Sequence, residues 1–217
     1  MDCKATVCLG EFSRGGKSRG ETQAMDHDMG SKTKYIPFGI VDEEQGELFI
    51  EFGSSCKTSD FIMDALEHRF SQLPEQEKGE IPYLQIKVDN GPESSGVRTQ
   101  FLSRMVDWVD RIGIPVQLLY FPPYHSKYNP IERCWGILEL HWNGALLTDE
   151  ETMLAWARSM TWKGRHPSVE LNTSSYDRGV SLSKKEMRPI EKRLLRHPNL
   201  PKWDILISPL SSWDLCS

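Results

Sequence analysis

The fold of this chain is decided by residues 83–93, which read YLQIKVDNGPE. Leu84, Ile86 and Val88 alternate with polar residues, which predicts a strand with one packed face. The strand has to end at the following DNGP sequence, because these are turn residues and proline cannot continue a ladder. A carboxylate, Asp89, therefore stands where a strand leaves its sheet, and ligand sites in open α/β sheets gather at such carboxyl ends. Taken alone, Asp89 also fits an ordinary turn.

Upstream of this strand the pattern is mainly that of β-structure. Polar and apolar residues alternate over Asp2–Leu9, which predicts a strand at the very start of the chain. Residues 10–34 are rich in glycine, serine and charge, which predicts a long loop. Two apolar runs, Tyr35–Val41 and Glu47–Phe52, are separated by a polar, glycine-containing turn, so we expect a β-hairpin.

The remaining elements are predicted as helices with one further strand. Thr58 or Ser59 can cap a helix with apolar residues at helical spacing. A second helix is expected over residues 98–112, where Gly113 can end it, and a strand follows over 114–121. Further helices are expected from the residue after Asn129 to about residue 142, over 149–160 and over 183–196.

This order of elements predicts an α/β fold. A strand, a hairpin and then alternating helices and strands can form one mixed sheet. We predict a ribonuclease H-like architecture: a mixed five-stranded sheet with helices on both faces and an α-helical C-terminal extension. The expected domains are residues 1–145, which contain the ribonuclease H-like sheet, and residues 146–217, a basic helical extension packed on it.

Composition excludes several classes of protein. With 38% hydrophobic and 26% charged residues the chain is typical of globular proteins, and no apolar run approaches the roughly 18 residues that span a bilayer. The N-terminus lacks the pattern of a signal peptide. The five cysteines are odd in number and form no CxxC pair, which favours reduced thiols in the cytoplasm. The net charge is −5, yet Lys and Arg outnumber acids between Arg158 and Trp203, and this stretch fits either a phosphate-facing surface or a solvated helix face.

Three carboxylates fall at positions that suit metal chemistry. Asp2 lies in the first strand, Asp89 ends the fourth, and Glu132 lies in the first turn of the helix after the fifth. In the predicted sheet the first and fourth strands are neighbours, so Asp2 and Asp89 can face each other while Glu132 approaches from a packed helix. Hard divalent cations prefer oxygen ligands, and two such ions about 4 Å apart can serve phosphodiester cleavage.

Each of these acids also has a structural interpretation. Asn129-Pro130-Ile131-Glu132 fits a capping box at a helix N-terminus, a role that can coexist with metal binding. Asp2 can be a frayed terminal acid. Among basic candidates, Arg14, Lys17 and Arg19 lie in the glycine-rich loop and can either bind phosphates or be solvated.

Several motifs resemble those of bacterial insertion-sequence transposases of the ISAzo type, in the mariner-related DDE transposase superfamily. PPYHSKYNPIERCWG (122–136) is similar to the tract around the final glutamate of these enzymes, and VDNGPE (88–93) to their second-aspartate segment. KATVCLGEFSRGGKSRG (4–20), HWNG (141–144) and MTWKGRHP (160–167) extend the resemblance over residues 1 to about 203. The combination is specific, whereas no single motif is.

The resemblance implies a DDE catalytic domain with Asp2, Asp89 and Glu132 as catalytic residues and ligands of two Mg²⁺ or Mn²⁺ ions. It implies cleavage of DNA strands at transposon ends, strand transfer to target DNA, and a homodimer assembled on the DNA. The candidate DNA-binding residues lie in the loop and in the quoted motifs: Arg14, Lys17, Arg19, His125, Lys127, Lys163 and Arg165. For His125, satisfying a loop carbonyl is the competing interpretation.

The chain departs from the family pattern at its start. It opens directly on the first catalytic strand, where such transposases carry a helix-turn-helix region that recognises transposon ends. A second interpretation is therefore a truncated, inactive remnant that at most binds DNA. A third is a ribonuclease H-like nuclease, since fold does not fix function.

Overall fold

A computed structural model describes residues 1–16, 30–122 and 128–210. The chain forms two compact units, each built from two separate stretches. Unit 1 contains Met1–Cys56 and Pro130–Ser175, and unit 2 contains Lys57–Asn129 and Tyr176–Ser217. Within the described ranges, no helix is long and apolar enough to cross a membrane.

The described residues form strands and helices in alternation along much of the chain. In chain order they are β1 (Asp2–Cys3), β2 (Val7–Cys8), β3 (Lys34–Val41), β4 (Leu48–Gly53), α1 (Ser59–Ser71), α2 (Glu75–Glu80), β5 (Leu84–Val88), α3 (Thr99–Ile112), β6 (Val116–Tyr120), α4 (Pro130–His141), α5 (Glu150–Ser159), β7 (Ser168–Asn172), α6 (Lys184–Glu191), β8 (Leu194–Arg196) and β9 (Asp204–Ile207).

The sheet of unit 1 has β3 at its centre. β1 and β2 both pair antiparallel with one edge of β3, β4 pairs antiparallel with the other edge, and β7 adds parallel to β4. The predicted hairpin is thus confirmed. Its turn is held by Asp42, whose carboxylate accepts the backbone N–H groups of Glu44 and Gln45, and by Gly46 at a φ of 71°.

A β-bulge divides the first predicted strand into β1 and β2. Lys4 N–H donates to the carbonyl of Pro37 at 2.9 Å, and the next two residues, Ala5 and Thr6, lie opposite the single residue Ile36. Ala5 and Thr6 are exposed, so the regular alternation predicted from sequence stops here. Proline has no N–H for a ladder and is found in sheets at edges or bulges, which accounts for the position of this one.

The core of unit 1 lies between one face of its sheet and the helices α4 and α5. Leu48, Ile50 and Phe52 point from β4 into it, and Trp135 and Trp142 enter it from α4 and its end. Asp149 caps α5 by accepting the backbone N–H of Thr152.

Unit 2 has a four-stranded sheet in the order β5-β6-β9-β8. β5 and β6 are parallel, as expected for strands joined by the crossover helix α3, and the β8–β9 hairpin adds antiparallel to β6. Thr58 caps α1 through the N–H of Phe61, and Gly113 ends α3 in the left-handed conformation, both as predicted.

The α/β class is confirmed, but two features differ from the prediction. The strand pairings of the described residues form two sheets rather than one, and the expected pairing of the first strand with the strand before Asp89 would join the two units, so it stays a prediction. The C-terminal part was expected to be helical, yet it contributes β7, β8 and β9. α6 ends at Glu191 instead of residue 196. Pro189, near its end, has no backbone N–H to donate within the helix, and the chain then turns into β8.

Candidate active site

Asp2 lies at the start of β1, directly opposite Gly39 of β3. Its carboxylate Oδ1 accepts the backbone N–H of Cys3 at 2.7 Å. The preceding Met1 is buried, so the backbone at Asp2 belongs to a packed ladder and is not a frayed terminus. The role of Asp2 as a metal ligand stays a prediction.

Gly39 lets helix α4 pack closely over the sheet. A Cβ at this position would lie 2.5 Å from Ile131 Cδ1 and 2.7 Å from the Trp135 ring. Residues directly opposed in an antiparallel pair point to the same face. Asp2 therefore projects from the face of the sheet on which the N-terminal half of α4 packs.

Glu132 lies in the first turn of α4, which begins at Pro130 as predicted. It follows Ile131, which is fully buried against Gly39, whereas Glu132 itself is exposed. Within unit 1, Asp2 and the turn that carries Glu132 thus share one face. The capping box between Asn129 and Glu132 stays a prediction.

Asp89 is the residue that follows β5, as predicted. Its side chain is partly exposed, and its own carbonyl accepts the hydroxyl of Ser94 at 3.1 Å. The N–H of Ser94 donates in turn to the carbonyl of Gly91 at 3.2 Å. The loop after Asp89 consequently closes back on itself and fixes the backbone that carries this carboxylate.

Two further contacts anchor the same loop at Glu93. The hydroxyl of Ser59, at the start of α1, donates to the Glu93 carbonyl at 2.7 Å. Lys57 Nζ lies 3.5 Å from the Glu93 carboxylate. Ser59 is fully buried, so this hydrogen bond ties the loop to the packed start of α1.

The far end of the loop is held by the C-terminal hairpin. Arg196 of β8 donates from Nη1 to the carbonyls of Gly96 at 2.9 Å and Pro201 at 3.0 Å, while its other nitrogens bind Glu191. A Cβ on Gly96 would lie 2.7 Å from the Lys202 carbonyl, so only glycine fits there. Arg196 and Gly96 therefore clamp the Asp89 loop to residues more than a hundred positions downstream.

The three carboxylates fit a hard divalent cation by their chemistry. Asp2 and Glu132 belong to unit 1 and Asp89 to unit 2. Across the part of the chain that is described, no group of three or more Asp, Glu, His or Cys side chains is close enough to hold a metal ion. Carboxylate oxygens are nonetheless the donors that Mg²⁺ and Mn²⁺ prefer, and Asp89 and Glu132 are not buried beyond the reach of such an ion.

Arg14 was expected on a DNA-binding loop, and it is buried instead. Its guanidinium lies 4.9 Å from the Trp142 ring centroid and binds Glu139 at 3.2 Å, and Lys4 reaches the same carboxylate at 2.6 Å. Burial alone would raise the pKa of Glu139, but the hydrogen bonds from Lys4 and Trp142 and the charge of Arg14 lower it overall. This environment gives Arg14 a packing role between the 9–16 segment and the end of α4.

Lys163 and Arg165 lie on a tight hairpin turn. Trp162 and Arg165 exchange both backbone hydrogen bonds, and Lys163 and Gly164 adopt φ angles of 49° and 79°, which is a type I′ turn. Both basic side chains are exposed. Arg165 also contacts Glu47 at 3.6 Å, so their binding to DNA stays a prediction. The other candidates, Lys17, Arg19, His125 and Lys127, lie outside the described residues.

Comparison with known families now assigns the chain to a class of protein, the DDE transposases. A family model described as "Rhodopirellula transposase DDE domain" matches residues 1–209. The chain belongs to this family of DDE-type insertion-sequence transposases. Neither curated proteins nor solved structures give a significant match.

Sequence reasoning missed the residues that support the candidate site. At Gly39 and Gly96 the lack of a side chain allows another part of the chain to pack closely. Arg196 acts by donating hydrogen bonds to two backbone carbonyls. The only sequence signal for any of them is a glycine inside a strand pattern, which is typical of a close approach by another element. Arg196 carries no local signal at all.

Proposed function

We propose that this chain cleaves DNA strands at transposon ends and joins them to target DNA, with Asp2, Asp89 and Glu132 as its catalytic residues. Membership of the DDE family supports the class of reaction. The observation that supports the assignment of residues is that Asp2 and the helix α4, which carries Glu132 in its first turn, lie on the same face of the sheet in unit 1.

In this proposal the three carboxylates hold two divalent ions, Mg²⁺ or Mn²⁺. Bound ions of this kind activate an attacking water or 3′-hydroxyl and stabilise the leaving oxygen. The protein's own part is to fix the donors: the β1–β3 ladder holds Asp2, the closed loop holds Asp89, and the packing of Ile131 on Gly39 holds the turn of Glu132.

Several finer expectations follow from the same proposal. The ribonuclease H-like catalytic domain would span residues 1–145, with residues 146–217 as an extension packed on it. DNA would be bound at transposon ends and target, and the active form would be a homodimer on DNA. The subtype would be ISAzo, and the place of action the cytoplasm, consistent with the four free cysteines among the described residues.

The test is strand cleavage by the full chain with Asp89→Asn, and Asp107→Asn as the matched control. Asp107 is exposed on α3, in the same unit, so its variant changes the same charge without touching the candidate site. We expect Asp89→Asn to abolish Mg²⁺- or Mn²⁺-dependent cleavage while DNA binding is retained, and Asp107→Asn to behave as wild type. Equal cleavage by the two variants would overturn the assignment. A wild-type chain that binds DNA but cuts in neither metal would favour the inactive remnant.

A further inference from the structure

Helix α6 carries a cluster of basic side chains that the proposed active site does not use. The cluster consists of Lys184, Lys185, Arg188 and Lys192, and all four side chains are exposed. None of them forms an ion pair with a described residue, whereas Arg104, Arg111, Arg193 and Arg196 of the same unit are all paired with acids.

The four residues lie on one side of the helix. At 3.6 residues per turn they span an arc of about 100°. Met187 is buried, and Ile190 is partly buried, on the opposite side, so the packing of α6 leaves the basic arc open. The spacing of the four residues along the helix places them on one side, whatever rotamers their long side chains adopt.

The two acids of α6 bind residues outside this arc and do not neutralise it. Glu186 accepts the backbone N–H and the hydroxyl of Ser183 in a capping box. Glu191 binds Arg196 through both carboxylate oxygens, at 3.1 and 3.2 Å. The arc therefore keeps its full positive charge in a chain whose net charge is −5. A strongly positive surface on an acidic protein attracts a polyanion.

We propose that this basic arc of α6 binds the sugar-phosphate backbone of duplex DNA without reading its sequence. Lys184 and Arg188 are about one helical turn apart, a rise of about 6 Å, and the phosphates of one DNA strand recur about every 3.4 Å along the duplex axis, so both side chains can reach phosphates of the same strand. Lys and Arg ends on long side chains are donors suited to phosphate oxygens, and contacts to phosphate carry no sequence information. The inference rests on the proposed function, because it names a surface for the same DNA substrate.

The test is the salt dependence of DNA binding by the full chain, measured with EDTA so that cleavage plays no part. The variant Lys184→Gln/Arg188→Gln is compared with Lys78→Gln/Arg111→Gln, which removes the same two charges from ion-paired positions in the same unit. Each phosphate contact contributes about 0.9 to the slope of log K against log salt. We expect the α6 variant to lower this slope by about 2, equally on two short duplexes of unrelated sequence, and the control to leave it unchanged.

Three results would overturn the inference. The first is an unchanged slope for the α6 variant, and the second is an equal loss of slope in both variants; if wild-type cleavage persists in a parallel assay, the proposed function still stands. The third is a loss confined to one duplex sequence, which would mean base reading. Circular dichroism checks folding, which exposed Gln in a helix should not disturb. A wild-type chain that neither binds nor cuts DNA would refute the proposed function itself.

Discussion

Asp2 and Gly39 lie directly opposite each other across the β1–β3 ladder, and the missing side chain of Gly39 is the space into which Ile131 and Trp135 of α4 pack. One residue pair thus links the first candidate ligand to the helix that carries the third, Glu132. The close packing of α4 over the face that carries Asp2 depends on this glycine.

The first prediction concerns Gly39→Ala. The added methyl group would lie 2.5 Å from Ile131 Cδ1 and 2.7 Å from the Trp135 ring, which is too close, so the rigid indole ring and the helix α4 that carries it have to move away from the sheet. We expect a loss of about 1–3 kcal/mol in the free energy of unfolding and a larger proportional loss of DNA cleavage, because Glu132 moves with the helix. Urea denaturation and a cleavage assay measure the two effects.

Gly136→Ala is the control on the same helix. A Cβ at Gly136 meets nothing within 4 Å, so alanine should stabilise α4 by about 0.5–1 kcal/mol and leave cleavage intact. If both variants cleave DNA as well as the wild type, the close packing of α4 on Gly39 does not position the site.

The second prediction concerns Arg196→Gln. The change removes the donor to the Gly96 carbonyl and so frees one end of the Asp89 loop. We expect cleavage to fall about tenfold or more, since a displacement of about 1 Å in a catalytic group can cost that much. Binding of DNA should be unaffected when assayed well below the unfolding temperature.

Arg193→Gln is the matched control, because Arg193 lies just before the same hairpin and binds Asp110 rather than the loop. It should destabilise unit 2 to a similar degree and leave the cleavage rate near that of the wild type. Equal loss of cleavage in both variants would mean that Arg196 acts only through general stability.

The third prediction concerns Glu139→Gln in unit 1. The change leaves the buried Arg14 without a counter-charge, so we expect the free energy of unfolding to fall by about 1–2 kcal/mol. This loss is smaller than for a fully buried pair because Glu139 is partly exposed. The pair of Lys78 and the exposed Glu75 offers the comparison: Glu75→Gln should cost under about 0.5 kcal/mol. Similar unfolding midpoints for the two variants would contradict the structural role of Arg14.

The fourth prediction is a dependence of stability on pH through Asp110. The hydrogen bonds from Arg193 lower the pKa of this carboxyl, burial opposes them, and the N–H of Leu210 adds to them. A lowered pKa in the folded state gives stability that is present above the unfolded pKa of about 4 and is lost as the pH falls further. Urea midpoints of the wild type should therefore drop below pH 4 more steeply than those of Asp110→Asn. Parallel curves for the two proteins would refute this contribution.

Much of the fold could be predicted from local pattern. The β3–β4 hairpin, the strand before Asp89, and α3 with its glycine cap follow from alternation, turn residues and helical spacing, which are short-range signals. The strands β7 and β9 were missed because each is short and is stabilised by a distant partner, β4 or β6. The local β-propensity of a short segment does not show which distant strand it will pair with.

The candidate site likewise has a part that could be predicted from local pattern and a part that could not. The acids themselves stood out because Asp89 follows a strand and Glu132 opens a helix. The supporting contacts did not, since the clamp from Arg196 to Gly96 joins residues far apart in the chain and depends on backbone carbonyls. Arg14 was misplaced because a glycine-rich loop does not reveal that a guanidinium packs on Trp142.

The most direct test of the central claim is calorimetric titration of the full chain with Mn²⁺, comparing wild type with Asp89→Asn and Glu132→Gln. Glu151→Gln, an exposed acid of α5, serves as the control. If three carboxylates jointly hold the ions, the wild type and the control should bind Mn²⁺ alike, and each of the two site variants should lose most of that binding. Undiminished Mn²⁺ binding in both Asp89→Asn and Glu132→Gln would contradict the claim.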